Sequence, residues 1–273
     1  MPEPASTEST YTMGYNEDFL QMLHWRSAET HARHLLPHLE PGLSMLDFGC
    51  GPGTLSVGLA GAVEPGEFHG VDIERTQIDM ARAAAEAGGH SNATFHVADA
   101  TDLPFEDDTF DVAHCHTVLN HVPDTHAVLG EVKRVLKPGG IISCRELIAG
   151  SSFSEPAYSL AGAWETFTKL VVANGGHPQM GKELKTRLVE AGFVDITATA
   201  SVDMFSTPEA KAVLDGVITE WFFSPKVMAA ATASGLATHE QFDAWKLDQE
   251  KWRQHPGSVG AIAFGEAIAT KPR

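Results

Sequence analysis

The sequence predicts an α/β fold, a doubly wound parallel sheet covered by helices on both faces. Two observations predict it. Short apolar runs alternate with stretches of helical period through the first half of the chain, the pattern of repeated βα units. Between the first run and its helix, "MLDFGCGPGTLSVGLA" places Gly49, Gly51 and Gly53 at a sharp turn, the kind that brings a ligand against free backbone N–H groups. With 273 residues, 43% of them hydrophobic, the chain can bury one large α/β core.

Residues 1–10 carry Pro, Ser, Thr and Glu with little apolar content and read as a mobile tail. Residues 11–273 read as a single domain, opening with an N-terminal helical lid over 11–40 that ends in "PHLEPG". Strand one is expected over Ser44–Phe48, with a helix over Thr54–Ala62. "GEFHGVDI" gives strand two and Thr76–Ala87 its helix. "ATFHVA" is strand three, "FDVAHCH" strand four, "HAVLGEVKRVL" a helix and "GGIISCREL" strand five. Beyond this core, residues 44–147, a helix over Ala157–Ala173 leads to "NGGHPQMG", then "KELKTRLVEAG" and "FVDITATA" supply a helix and a strand. "VGAIAFGEAIAT" is the last strand. Residues 151–180 and 201–257 are read as helical insertions on the acceptor side of the sheet.

The formal charge of −17 opposes broad contact with nucleic acid, which needs clustered Lys and Arg. No apolar run reaches the roughly 18 to 20 residues of a membrane span, and "MPEPASTEST" lacks the parts of a signal peptide. A cytoplasmic protein working on a small molecule, without membrane insertion, is expected; homo-oligomerisation is left open. Cys50, Cys115 and Cys144 form no C-x-x-C pair and are read as small buried residues.

The glycine turn departs from the dinucleotide fingerprint, since the third glycine comes one residue early. It also lacks the Lys of a phosphate loop. Asp72, about 20 positions further on and ending strand two, suits both hydroxyls of a ribose. Asp47, Asp72 and Asp99 together favour a cationic ligand over an anionic pyrophosphate. His114, His116 and His121 cluster after strand four. Without a completing carboxylate or thiolate they are read as holding no metal. An imidazole of ordinary pKa, near 6.5, could instead accept a proton at pH 7. Arg145 and Glu146 end strand five, where ligands of open sheets bind, so one of them is expected to face the acceptor. Tyr11, Tyr15, Trp25, Trp164, Phe167, Trp221, Phe222 and Phe223 offer aromatic surface for its pocket, two or three of them in contact with substrate.

The ordered series "LDFGCGPG", "GVDIE", "VADATDLPFEDDTFDVAHCH" and "EVKRVLKPGG" resembles the class I S-adenosylmethionine-dependent methyltransferases, in the branch similar to ubiquinone and menaquinone biosynthesis methyltransferases. The resemblance covers about Leu46 to Leu147. It implies a Rossmann-like seven-stranded sheet with an antiparallel last strand, and S-adenosylmethionine as cofactor. By position it implies that Asp47, Gly49, Cys50 and Gly51 meet the methionine and ribose parts and that Asp72 binds the ribose. Ile73, Asp99 and Ala100 would meet the adenine, with Cys115 and His116 flanking the methionine. His121, His116 and Glu146 are the candidate catalytic residues. The implied function is methyl transfer to O, N or C of a small, moderately apolar acceptor by in-line displacement. Two alternatives stand beside it: a protein that binds S-adenosylmethionine without methyl transfer or with non-methylating chemistry in the same pocket, and an NAD-dependent oxidoreductase.

Overall fold

A computed structural model describes residues 25–273. The expected tail, Tyr11 and Tyr15 lie outside them.

Each βα unit follows from its residues. Strand β1, Met45–Phe48, is buried at every position, as a central parallel strand covered on both faces must be. The glycine turn leads into α2, Ser56–Val63. β2, Phe68–Asp72, is followed by α3, Arg75–Gly88, which ends on Gly89 at φ +74° with its N–H returned to the last turn. β3 is Ala93–Val97 and β4 is Phe110–His116. Asp124 caps α4, Thr125–Val135, by accepting from Ala127 N at 2.9 Å. β5 runs over Leu136–Leu147.

Chain order and sheet order differ. Through β3-β2-β1-β4-β5 neighbouring strands are parallel, so the order reverses between β1 and β4. That reversal opens a crevice at the carboxyl ends of the strands. β8, Val259–Thr270, closes the sheet antiparallel to β5. It carries β7, Val194–Phe205, along its other edge and the short β6, Phe153–Glu155, at its start. The expected α/β architecture with an antiparallel last strand is present, with eight strands rather than seven because β6 adds to β8.

The second half departs from expectation in two further places. β7 extends through "SVDMF", so the helical part of the last insertion starts only at α7, Pro208–Phe223. It continues in α8, Pro225–Ala233, and α9, His239–Gln254. At the front, the helix expected through Leu39 is broken. α1 covers Ala28–His31, the backbone turns out of helix at Ala32 with φ −117°, and a single 3-10 turn follows at Leu36–His38.

Three apolar clusters hold these layers. One, with Leu35, Leu59, Ile78 and Phe68, packs α1 to α3 on one face of the sheet. A second, with Leu119, Val128, Leu129 and Leu184, packs α4 and α6, Met180–Glu190, on the other. The third joins α7, α8 and α9 to α5, Leu160–Ala173. In it the Phe167 and Trp221 rings stack at 5.1 Å, nearly parallel.

Candidate active site

A cavity of about 610 Å³ occupies the crevice. It runs from the glycine turn to α5 and α7, and its two ends differ in hydrogen-bonding character.

The first end is built of acceptors. Gly49, Gly51 and Gly53 all have positive φ, and a Cβ at Gly49 would collide with the Val118 side chain, so the turn passes close beneath the loop after β4. Asp47 is buried and accepts from Ser56 Oγ at 2.6 Å. Burial pushes its carboxyl up to about 7. Asp72 lines the same wall and accepts from Gly51 N at 2.9 Å and Glu74 N at 3.0 Å. Burial raises its carboxyl as well. Gln77, reached from α3, is buried with Oε1 lacking a hydrogen-bond partner. Ile73, exposed at 56%, and Asp99 and Ala100 complete this end, with Asp99 accepting from Thr101 N at 2.9 Å.

The other end is apolar with a few donors. Leu147, Phe167, Val171, Trp221, Ile262 and Phe264 line it, together with Arg26, His116, Thr117 and His121. Arg145, 1% exposed, sets the state of His116. Its Nη1 lies 2.7 Å from His116 Nε2, and a guanidinium can only donate. His116 Nε2 therefore accepts, which leaves the ring proton on Nδ1, facing Thr117 Oγ1 at 3.3 Å. Burial, then the charges of Arg26 and Arg145, hold this imidazole well below its ordinary pKa. Arg145 also binds Asp203 at 2.7 Å and Glu266 at 3.3 Å, and its guanidinium lies 3.7 Å from the Phe264 ring centre.

His121 is held down to about 4 by burial and by the charge of Arg26, not near the ordinary value expected from the sequence. With the Asn120 amide nitrogen donating to Glu146 Oε2 at 2.7 Å, its oxygen accepts from His121 Nε2 at 3.1 Å.

Glu146 and Cys115 do not line the cavity, and neither does Arg145, so the expectation that Arg145 or Glu146 faces the acceptor is not met. Glu146 is fully buried and turned to the loop after β4, where Val118 N, Leu119 N and Asn120 N donate to it at 2.9–3.1 Å. The expectation that it meets the acceptor is corrected: its oxygens anchor backbone. Cys115 is buried in the core with Sγ 3.5 Å from Glu146 Oε1. Of the eight aromatics, Phe167 and Trp221 reach the cavity, while Trp164, Phe222 and Phe223 belong to the core beneath. Arg26, Gln77 and Phe264 were not foreseen. Among the described residues no group of three His, Cys, Asp or Glu side chains is placed to share a metal.

A crevice at the reversal of a mostly parallel sheet, acid-lined and fed by a glycine turn, defines a nucleoside-cofactor α/β domain. Residues 39–192 match the family described as methyltransferase domain, and the chain belongs to that family. It is 30% identical over 214 residues to an uncharacterized methyltransferase of Schizosaccharomyces pombe, covering 75% of this chain and 77% of that one. It is 34% identical over 177 residues to a demethylmenaquinone methyltransferase of Bacillus pumilus, covering 59% of this chain and 75% of that one. In fold it is similar to the YcgJ protein from Bacillus subtilis, with TM-score 0.59, 18% identity, and 88% and 99% of the two chains covered. The protein is a class I S-adenosylmethionine-dependent methyltransferase of the ubiquinone and menaquinone methyltransferase-like branch, and the oxidoreductase alternative falls. The end of the cavity at the glycine turn fits that cofactor. Asp47, Asp72 and the orphaned Gln77 oxygen offer acceptors to an ammonium and to hydroxyls, and the turn has no room for a side chain at Gly49.

Proposed function

We propose that the chain methylates O, N or C of a small, moderately apolar molecule held between the glycine turn and the helices α5 and α7. One observation carries this reading: a single continuous cavity has the cofactor-type acceptors at one end and Phe167, Val171 and Trp221 at the other. Bound S-adenosylmethionine supplies a methyl carbon activated by a sulfonium, so alignment of the two reactants is the main demand on the protein.

In this reading Asp47, with the backbone of Gly49, Cys50 and Gly51, holds the amino-acid part. Asp72 takes the ribose hydroxyls, while Ile73, Asp99 and Ala100 meet the adenine. His116, which lines the cavity, flanks the methionine portion. His116 acts as a positioning residue, because its one lone pair accepts from Arg145. Glu146 positions the loop that carries His121. α7 to α9 form a helical cap on the acceptor side, and of the segment before β1 Arg26 reaches the cavity. The net charge of −17 supports a small molecule, rather than nucleic acid, as the target. No helix among the described residues is long and apolar enough to cross a membrane.

The test is calorimetry with S-adenosylhomocysteine. Asp72→Ala should weaken binding by about tenfold or more, the loss of charge-assisted hydrogen bonds. Affinity within twofold of the unaltered protein would remove Asp72 from the cofactor site.

A further inference from the structure

Two hydrogen-bonded paths meet at Thr117 in the cavity wall. Its backbone lies in the left-handed region at φ +56°, an outlier for a β-branched residue, and such a conformation persists only where the surroundings over-determine it. Its N–H donates to Arg145 O at 2.8 Å, and the next three N–H groups donate to Glu146. The hydroxyl is fixed from both sides. Oγ1 lies 3.3 Å from His116 Nδ1, which carries the ring proton because Nε2 accepts from Arg145, and 3.3 Å from Arg26 Nη1. A hydroxyl that accepts twice keeps its own proton to donate.

Both paths lead away from the cavity to one carboxylate. From His116 the first runs to Arg145, whose Nη2 donates to Asp203 Oδ1 at 2.7 Å. With Nε bound to Glu266 at 3.3 Å, the Asp203 contact supplies the second point that aims Nη1 at His116. From Arg26 the other path runs along the backbone to Ser27, whose N–H lies 3.2 Å from His31 Nδ1, with Thr30 Oγ1 2.6 Å from the same nitrogen. A backbone N–H can only donate, so Nδ1 accepts and the His31 proton is on Nε2, 3.4 Å from Asp203 Oδ2. Each oxygen of Asp203 serves one path, and the ring closes. Across it the His31 ring packs edge-on against His116, with centroids 5.8 Å apart. Burial pushes the Asp203 carboxyl up, but the His31 hydrogen bond and the Arg145 charge outweigh it and hold it below the usual carboxylate range.

We propose that Asp203 is a positioning residue for methyl transfer: without lining the cavity, it locks the His116 tautomer through Arg145 and clasps the Arg26 segment through His31, leaving the Thr117 hydroxyl as a fixed donor. The inference rests on the methyl-transfer reading and adds to it a residue of β7.

The test uses the full, isotope-labelled chain with and without S-adenosylhomocysteine. Long-range proton–nitrogen spectra report which ring nitrogen carries the proton, with His116→Gln and His31→Gln assigning the two rings. In the unaltered protein about nine-tenths or more of His116 should carry its proton on Nδ1, the population that one charge-assisted hydrogen bond supports. His31 should carry its own on Nε2. Asp203→Ala should raise the Nε2–H form of His116 by about threefold or more, and Asp203→Glu should restore part of the lock. Rotation of the Arg26 guanidinium reports the other path: it should quicken by about threefold or more in Asp203→Ala and in His31→Gln. A merely structural role lowers the urea midpoint of Asp203→Ala and moves neither signal. That outcome overturns the proposal, as does a His116 that carries its proton on Nε2 in the unaltered chain. Should Asp203→Ala not fold, Asp203→Asn takes its place; its single acceptor oxygen can serve only one path, so both signals unmoved overturns the proposal there too. Failure to bind S-adenosylhomocysteine overturns the methyl-transfer reading instead, and the ligand-free spectra keep the two failures separate.

Discussion

At the scale of single residues, burial decides which titratable groups can respond near neutral pH. Asp47, pushed up to about 7 by burial, is partly protonated there, whereas a ligand ammonium favours the ionised form. S-Adenosylhomocysteine affinity should therefore rise as pH rises through 7 and level off above it. Calorimetry at pH 6 and pH 8 in buffers of different ionisation enthalpy would show proton release on binding at the lower pH. A flat affinity with no proton exchange would separate Asp47 from the ligand. His121 shifts the other way. Held at about 4, its imidazole should stay neutral from pH 5 to 8 in the free protein, and an NMR titration should find its midpoint near 4 rather than 6.5. A midpoint above 6 would show that burial and Arg26 do not govern it.

At the scale of elements, the glycine turn and the loop after β4 depend on each other's shape. Gly49→Ala puts a side chain at φ +72° and against Val118, which should cost about 2 kcal/mol of stability. Val118→Ala in the same chain should recover part of it, measured by urea unfolding. Absence of any recovery would place the strain in the backbone alone. The elements most legible in the sequence were those whose apolar residues follow one period, β1 to β5 and their helices. β7 was legible only in part, because its inward residues are polar. Thr199, Ser201 and Asp203 bind Glu266 and Arg145, while Val202 and Met204 are half exposed, so its alternation runs against the usual rule. Adjacent strand residues face opposite sides, so Arg145 and Glu146 were bound to diverge; nothing in the spacing says which side holds the cavity. The acidic end of the site lay in consecutive motifs. The donor end did not, since Arg26 and Thr117 are 91 positions apart and Trp221 stands among other core aromatics.

Across the whole molecule, a buried polar network joins the segment before β1 to the far side of the sheet. Arg145 binds Asp203 and Glu266, His31 Nε2 lies 3.4 Å from Asp203, and His34 Nε2 lies 2.9 Å from Ser143 Oγ. Arg145→Met would strand two largely buried carboxylates, an expected loss of about 3–5 kcal/mol. Urea unfolding would measure it, and a loss below about 1 kcal/mol would mean that the carboxylates relax into solvent. β8 bears on the molecule in time as well as space. It is the last strand in order, yet β5, β6 and β7 all pair with it. On a ribosome, the strands around the glycine turn emerge and can associate before β8 exists, while β5 and β7 wait with open edges. Ile262 and Phe264, which face the acceptor end of the cavity, arrive with that final strand. In the assignment proposed above, the half that would hold the nucleoside can assemble first during synthesis, and the half that would select the methyl acceptor is completed last.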